Sequence, residues 1–275
     1  MNTLQVRARV ERTTDVQTLP HAMAKLRRRL DEPMASAIAL GEEIGKDQVL
    51  AAKVLRLVNS GFYGLRTPVT TITQAMVLLG FDVVRTLVLS ASVLDIVELM
   101  NRLLAGLWGH SLATARVAHA LAERLEIRDP EEVALAGLLH DLGKVIIAQR
   151  FPAEAKEIAE IMAARDCLRH EAERTVLGAS HAEVGMWLLR KWGLPDTLVA
   201  PIAYHHDFRA DREFADRIAI VHVANVLCRA RGLGQAESRR ISAIHPEAWS
   251  LLGLGMSDVE HLYGQLENEL IDLTE

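Results

Sequence analysis

The stretch AGLLHDLGKV, residues 136–145, ends an apolar helical run on the adjacent pair His140 and Asp141 and adds Lys144 one helical turn later. An imidazole beside a carboxylate is costly to bury unless both groups find partners. The stretch therefore admits two interpretations. It is either a metal site that acts on a phosphate or the polar remnant of such a site.

The fold class follows from the residues around this stretch. Helical periodicity runs through almost the whole chain, and no segment alternates polar and apolar residues as a strand does. Thr71 with Gln74, and Ser257 with Glu260, fit capping boxes that would open two of the helices. The sequence therefore predicts an all-α protein.

Composition shifts along the chain suggest four segments. The first is polar and aperiodic, the second contains five predicted helices, the third gathers most of the histidines, and the last holds a further amphipathic helix. We therefore expect a flexible amino terminus at 1–17, an N-terminal helical lobe at 18–100, a second lobe with a metal site at 101–230 and a C-terminal helical extension at 231–275.

Charge and hydropathy exclude several classes of function. The chain of 275 residues is half hydrophobic and carries a net charge of -5, so it has no global electrostatic footprint for nucleic acid. Its most apolar window, residues 75–100, is interrupted by charged residues and falls short of a membrane span. No signal peptide is evident. We expect a cytoplasmic protein with no membrane partner, and nucleic acid is not expected to bind.

The two cysteines, Cys167 and Cys228, lie far apart in sequence and lack the C-x-x-C spacing of a zinc knuckle. Neither a disulfide framework nor a structural zinc site is indicated. We expect two buried free thiols.

Helix ends are expected to bring the polar residues together. DPEE at 129–132 supplies an N-cap, a proline at the first helical position and a carboxylate, so His140 and Asp141 should lie near the far end of that helix. GLPDTLVAPIAYHH repeats the arrangement, with Pro195 near the start and His205 and His206 near the end. Eight of the 11 histidines lie between His110 and His222.

The residue types in this lobe suit a transition metal. Neutral imidazoles mixed with a carboxylate are typical ligands of zinc, iron and manganese, and suit calcium or magnesium less well. Each histidine taken singly is more often a core or surface residue, and sequence spacing does not prove that they converge. The candidate ligands are His110, His140, Asp141, His181, His205, His206 and, as a weak one, Asn225.

Such a centre would hold one or two ions and polarise a phosphoryl oxygen. Lys144 is the candidate catalytic residue, because an ammonium one turn after His140 could face the same pocket and pair with a phosphate. A solvated surface lysine is the alternative.

HDLGK with the upstream His110 resembles the HD superfamily of metal-dependent phosphohydrolases. The blocks LAAKVLRLVNSGFYG at 50–64, ITQAMVLLGFDVVRTLVL at 72–89, EAERTVLGASHAEVGMWLLRKWGLPDTLVAPIAYHHD at 171–207 and VHVANVL at 221–227 are similar to the HDOD family. The resemblance covers roughly residues 18–230. It implies an HD-type helical bundle with an N-terminal helical lobe and a role in bacterial signal transduction or regulation.

The HDOD family is related to the HD-GYP phosphodiesterases, which hydrolyse cyclic di-GMP, and many of its members have lost metal ligands. Here His110, His140, Asp141, His181, His205 and His206 all stand where the HD-GYP pattern places ligands. Three features depart from that pattern: Asn225 replaces the final aspartate, Asp207 replaces a glutamate, and no GYP signature follows. Metal binding is therefore expected, and cyclic di-GMP hydrolysis is not.

Three hypotheses result. The first is a regulatory module that binds a signalling protein or a nucleotide-like ligand, with a homodimer left open. The second is an active metal-dependent phosphohydrolase, favoured by the retained ligands and Lys144. In the third, the histidines are unrelated structural residues.

Overall fold

The computed structural model describes residues 2–12, 54–55, 58–59, 69–80, 106–233 and 240–271, the last range with side chains to residue 264. The chain divides into two compact units, one of residues 14–98 and one of residues 1–13 with 99–275. The described helices are α1 Thr3–Glu11, α2 Ile72–Leu79, α3 Leu107–Arg124, α4 Pro130–Leu139, α5 Leu142–Arg150, α6 Pro152–Arg165, α7 Arg169–Leu177, α8 His181–Lys191, α9 Asp196–Tyr204, α10 Ala215–Ala230, α11 Pro246–Leu252 and α12 Met256–Ile271.

The prediction of an all-α fold is confirmed, since the regular elements of the described ranges are all helices. None of these helices is long and apolar enough to cross a membrane. In the unit of residues 14–98, α2 is a helix as predicted, and its N-cap Thr71 accepts a hydrogen bond from the backbone of Gln74. The Gln74 side chain accepts from Thr70 instead of Thr71, so the capping box is only half formed. Of the other helices predicted there, only residues 54–55 and 58–59 are described; Val54, Leu55 and Val58 are helical, with Val54 and Val58 buried.

In the larger unit, α3 packs against α4 and α10, and α9 lies between α4, α8 and α10. Glu132, in the first turn of α4, joins three of these helices, because its two carboxylate oxygens accept from Thr197 in α9 and Arg217 in α10. The core between the helices is aliphatic, with Leu142, Leu188 and Leu198 fully buried. This packing directs the ends of α4, α5, α8 and α9 towards one region.

Helices α5 and α8 cross closely at the glycine of the HDLGK stretch. A Cβ added to Gly143 would overlap the backbone carbonyl of His181 and lie 2.9 Å from the backbone nitrogen of Gly185. Any side chain at residue 143 would therefore force the two helices apart. The glycine is required because the backbone that carries His181 passes directly over it.

The amino terminus differs from the flexible segment that its polar sequence predicts. Residues 3–11 form α1, which packs on α8 and α5 and buries Val6 and Val10 completely. Asn2 and Gln5 form its capping box, and the Thr3 hydroxyl donates to the carbonyl of Gly178. Two valines at i and i+4 were too weak a pattern to reveal this helix from the sequence.

The C-terminal helix begins differently from its prediction. Gly255 precedes α12 and donates its backbone N–H to the Asp258 carboxylate, so the expected capping box of Ser257 and Glu260 is wrong. On the predicted apolar face of this helix, Val259 and Leu262 are buried. The Tyr263 hydroxyl donates to the carbonyl of Leu227 in α10 at 2.7 Å.

Candidate metal centre

The predicted convergence of helix ends is found in the structure. His140 is the C-cap of α4, Asp141 precedes α5, His181 is the first residue of α8, and His205 is the C-cap of α9. His110 stands in the first turn of α3. Because a terminal residue projects beyond the end of its own helix, these side chains meet in one place without interrupting any helix.

Six of the predicted ligands form two clusters. The His110 cluster consists of His110, His140 and Asp141, and the His181 cluster consists of His181, His205 and His206. Within each cluster the ligand atoms lie within 4.8 Å of one another.

Asp141 lies between the two clusters. Its Oδ2 is 3.2 Å from Nε2 of His140 and 3.8 Å from Nε2 of His110, whereas its Oδ1 is 3.2 Å from Nε2 of His181. The rings of His140 and His205 also meet across the boundary, with centroids 5.0 Å apart. One carboxylate thus serves both clusters.

Three buried atoms support the fit of a cation. Nε2 of His140, Oδ1 of Asp141 and Nε2 of His205 have no hydrogen-bond partner within the described part of the chain. The Nδ1 atoms of His140 and His205 are occupied by the carbonyls of Gly137 and Ile202, at 2.7 and 2.8 Å. Their Nε2 lone pairs therefore face the cluster. Buried polar groups without partners cost free energy, and ligation of a metal would satisfy such atoms.

Glu173 is a site residue that the sequence did not reveal. Its Oε2 accepts from the ring Nδ1 of His181 at 2.6 Å and from the backbone of His181 at 2.7 Å, and its Oε1 accepts from Arg169 at 2.9 Å. Metal-ligating histidines typically donate their second nitrogen to such a carboxylate, which fixes the tautomer and raises ligand basicity. An acidic residue eight positions before a histidine carries no recognisable spacing.

Lys144 is fully buried, so the alternative of a solvated surface lysine is wrong. Its Nζ donates to Oδ2 of Asp141 at 2.7 Å. The side chain therefore lies at the cluster, as the spacing indicated, and it is paired with the bridging carboxylate of Asp141. The role of a phosphate contact stays a prediction.

Asn225, the weak candidate, lies beside the His110 cluster. Its Oδ1 is 3.0 Å from Nε2 of His110 and accepts from Nε of Arg229 at 3.1 Å. Asp207, in contrast, is exposed and ion-paired with Arg212 at 2.8 Å.

Two further histidines, His170 and His222, contact members of the His181 cluster without belonging to it. The ring of His170 stacks on His206 with centroids 4.2 Å apart. His222 donates from Nδ1 to the carbonyl of His205 and accepts at Nε2 from the backbone of His245. His222 therefore links the end of α9 to the segment before α11.

Burial and neighbouring charges set the protonation of the cluster. Burial lowers the pKa of His110 to about 3, and burial with the neighbouring imidazoles holds the pKa of His205 and of His206 well below the ordinary value. Burial opposes ionisation of Asp141, but His140 and Lys144 outweigh it and hold its pKa well below the usual range. Neutral His110, His205 and His206 beside an ionised Asp141 are the protonation states that metal ligation requires.

The pKa of His181 shifts in the opposite direction to those of His110, His205 and His206. Burial disfavours its charged form, but Glu173 and Asp141 outweigh that cost and raise its pKa above the ordinary value. In the metal-free protein, the Glu173 and Asp141 carboxylates therefore stabilise the protonated, positively charged form of the His181 ring.

Comparison with known proteins places the chain among HD-type proteins. The family model of the HDOD domain matches residues 16–208. An HDOD domain protein of unknown function from Geobacter sulfurreducens has 27% identity and a TM-score of 0.77 over 98% of this chain and 97% of that chain. A proposed phosphohydrolase from Shewanella amazonensis SB2B has 25% identity and a TM-score of 0.75 over 97% of both chains.

Curated relatives are longer than this chain. An uncharacterized protein of Treponema pallidum (strain Nichols) is 26% identical over 223 residues, which are 80% of this chain and 43% of that protein. Ribonuclease Y of Aquifex aeolicus (strain VF5) is 33% identical over 122 residues, 44% of this chain and 16% of that protein. The chain thus spans less than half the length of these two relatives.

Proposed function

Because the chain belongs to the HDOD family, we propose that it is a signal-transduction protein whose buried histidine centre binds a transition metal. The ion would be iron, manganese or zinc, and the protein would act by binding a signalling protein or a nucleotide-like ligand. The observation that carries this proposal is the set of three buried atoms without a hydrogen-bond partner, on His140, Asp141 and His205, where the two clusters meet. Their donor types match those of transition-metal sites.

Within such a centre each residue has a distinct task. His140 and His205 present Nε2, since a backbone carbonyl occupies the other nitrogen of each ring. Glu173 orients His181, and Asp141 supplies the negative charge shared by both clusters. The chemistry that a bound ion supplies is polarisation of a phosphoryl oxygen.

Two observations favour binding over catalysis. His140, Asp141, Lys144 and His205 are completely shielded from solvent, which leaves a phosphodiester no direct approach to them. Asn225 provides a neutral amide where the HD pattern has a carboxylate, so the cluster has one negative charge fewer to hold a second ion.

A metal-dependent phosphohydrolase is the second candidate. It is favoured by the single carboxylate that joins two metal-capable clusters, because two ions sharing a ligand can clamp attacking and leaving oxygens. The similar Shewanella amazonensis protein and the partial match to ribonuclease Y point to the same chemistry. Turnover of cyclic dinucleotides or nucleotides by metal-loaded protein would favour this candidate over the first.

Elemental analysis of freshly purified protein tests the proposal. We expect about one or two transition-metal ions per chain in the wild type and none in a His140→Ala, Asp141→Ala double variant. A His119→Ala, Glu123→Ala variant is the matched control, because this ion pair lies on the surface of α3 outside both clusters. Wild-type protein that binds no iron, manganese or zinc would refute the metal centre.

A further inference from the structure

Resting on the metal centre proposed above, we infer that the chain holds a single ion in the His181 cluster, and that Lys144, Arg229 and Asn225 keep the His110 cluster from binding a second. The His110 cluster has two imidazoles and the carboxylate of Asp141, whereas the His181 cluster has three imidazoles and borders the other oxygen of that carboxylate. They differ in what their ligand atoms already contact.

The carboxylate oxygen that faces the His110 cluster is occupied by protein cations. Oδ2 of Asp141 accepts from the Lys144 ammonium at 2.7 Å, and a guanidinium nitrogen of Arg229 lies 4.0 Å away. An ion entering here would have to displace the ammonium and would stand close to a second positive charge. Like charges in a buried site repel strongly because the local dielectric constant is low.

His110 is also turned away from ligation. Arg229 donates to Oδ1 of Asn225, which fixes the amide with its oxygen directed to Nε2 of His110 at 3.0 Å. The other nitrogen of His110 lies 3.3 Å from the carbonyl of Leu233. A neutral imidazole has one hydrogen and both nitrogens of His110 face oxygen atoms, so we assign the hydrogen to Nε2, the nitrogen with the shorter contact. That nitrogen then has no lone pair for a metal.

The His181 cluster has the opposite arrangement. Nδ1 of His181 donates to Glu173, and Nδ1 of His205 donates to the carbonyl of Ile202, so both rings direct Nε2 into the cluster. Nε2 of His206 and Oδ1 of Asp141 each lie 3.2 Å from Nε2 of His181. Three imidazoles and one carboxylate oxygen make a four-ligand set, with the carboxylate of Glu173 behind it.

A single ion limits what the centre can do. It cannot clamp the attacking and leaving oxygens of a displacement as two ions do. Asn225 and Arg229, together with Lys144, therefore distinguish this chain from a two-metal hydrolase and limit how many ions it holds.

The test compares the same substitution in each cluster. We expect about one zinc or manganese ion per chain in the wild type and in His110→Ala, and a metal affinity reduced more than about 100-fold in His206→Ala, measured by chelator competition. His206 is only partly buried, so this variant should fold, which circular dichroism checks. His206→Gln serves as the second variant if the alanine variant fails to fold, with the same loss expected.

A double variant, Asn225→Asp with Arg229→Met, tests the cause. We expect its metal content to rise to about two ions per chain, and its manganese paramagnetic resonance spectrum to change from an isolated ion to a coupled pair. Two ions in the wild type, or an ion lost in His110→Ala but kept in His206→Ala, would overturn this inference while leaving the proposed metal centre intact. No ion in any of the proteins would overturn both.

Discussion

Replacing Gly143 with alanine is expected to destabilise the protein and to disturb the metal centre together. The added Cβ would overlap the His181 carbonyl and approach the Gly185 backbone to 2.9 Å. Both obstacles are backbone atoms of one helix, so no side-chain rotation can relieve the overlap. Helices α5 and α8 would have to separate.

The magnitude follows from two opposing contributions. Overpacking a core costs about 1–3 kcal/mol, and backbone obstacles place this site at the upper end. Alanine gains at most about 1 kcal/mol over glycine through helix propensity. A net loss of about 2 kcal/mol remains, which lowers the Tm of a unit of this size by about 4–8 °C. Because His181 moves with its backbone, metal affinity should fall by about 10–100-fold as well.

Gly264→Ala is the matched control. Gly264 lies in α12, is exposed, and a Cβ there would meet nothing within 4 Å. Thermal unfolding and chelator competition on both variants make the comparison. The control should be as stable as the wild type, or more stable by up to about 1 kcal/mol. A Gly143→Ala protein that matches the control in Tm and metal affinity would refute the close crossing of α5 and α8.

Three other measurements follow from the site. Glu173→Gln should weaken metal binding by about 10–100-fold in chelator competition, because His181 loses the carboxylate that orients it; unchanged affinity would contradict that role. Between pH 7 and 5 the metal-free protein should lose about 2 kcal/mol in urea unfolding through His110 alone, since the unfolded ring takes up a proton below pH about 6.5 and the folded ring, with a pKa of about 3, does not. The pKa of His181 is raised in the folded state, so this residue adds stability below its unfolded pKa and offsets part of that loss. A free energy of unfolding that does not change between pH 7 and 5 would mean that His181 cancels the whole contribution of His110. Alkylation at pH 8 followed by mass spectrometry should label Cys167, which is partly exposed, and spare Cys228, which is buried with a pKa raised to about 12; equal labelling would contradict that burial.

The sequence predicted the histidine centre because its signals are local. Pro130 begins α4 and the HDLGK stretch ends it, so the position of His140 at a helix end could be read from neighbouring residues. The same holds for Pro195 and His205 in α9. Residue types then indicated a transition metal, and the order of motifs along the chain indicated the family.

Residues that act through long-range contacts could not be read in this way. Glu173 contacts His181 only because α7 and α8 fold back on each other, and His222 reaches His205 from a different helix. The expectation of two buried thiols held for Cys228 and failed for Cys167, which is partly exposed, because no local pattern distinguishes the two. The burial of a side chain and its contacts depend on how the helices pack, and the spacing of residues along the sequence does not reveal them.

The position of Asn225 illustrates why a list of retained ligands is not enough to assign chemistry. As a residue type, the amide removes one negative charge from the centre. In the structure its Oδ1 also accepts from Arg229, which lies 4.0 Å from Asp141, and contacts Nε2 of His110 at 3.0 Å. The asparagine at residue 225 therefore changes the surroundings of His110 and Asp141, although both of these residues are retained. The number of ions in such a centre depends on what each ligand atom already contacts, and the sequence motif leaves that undetermined.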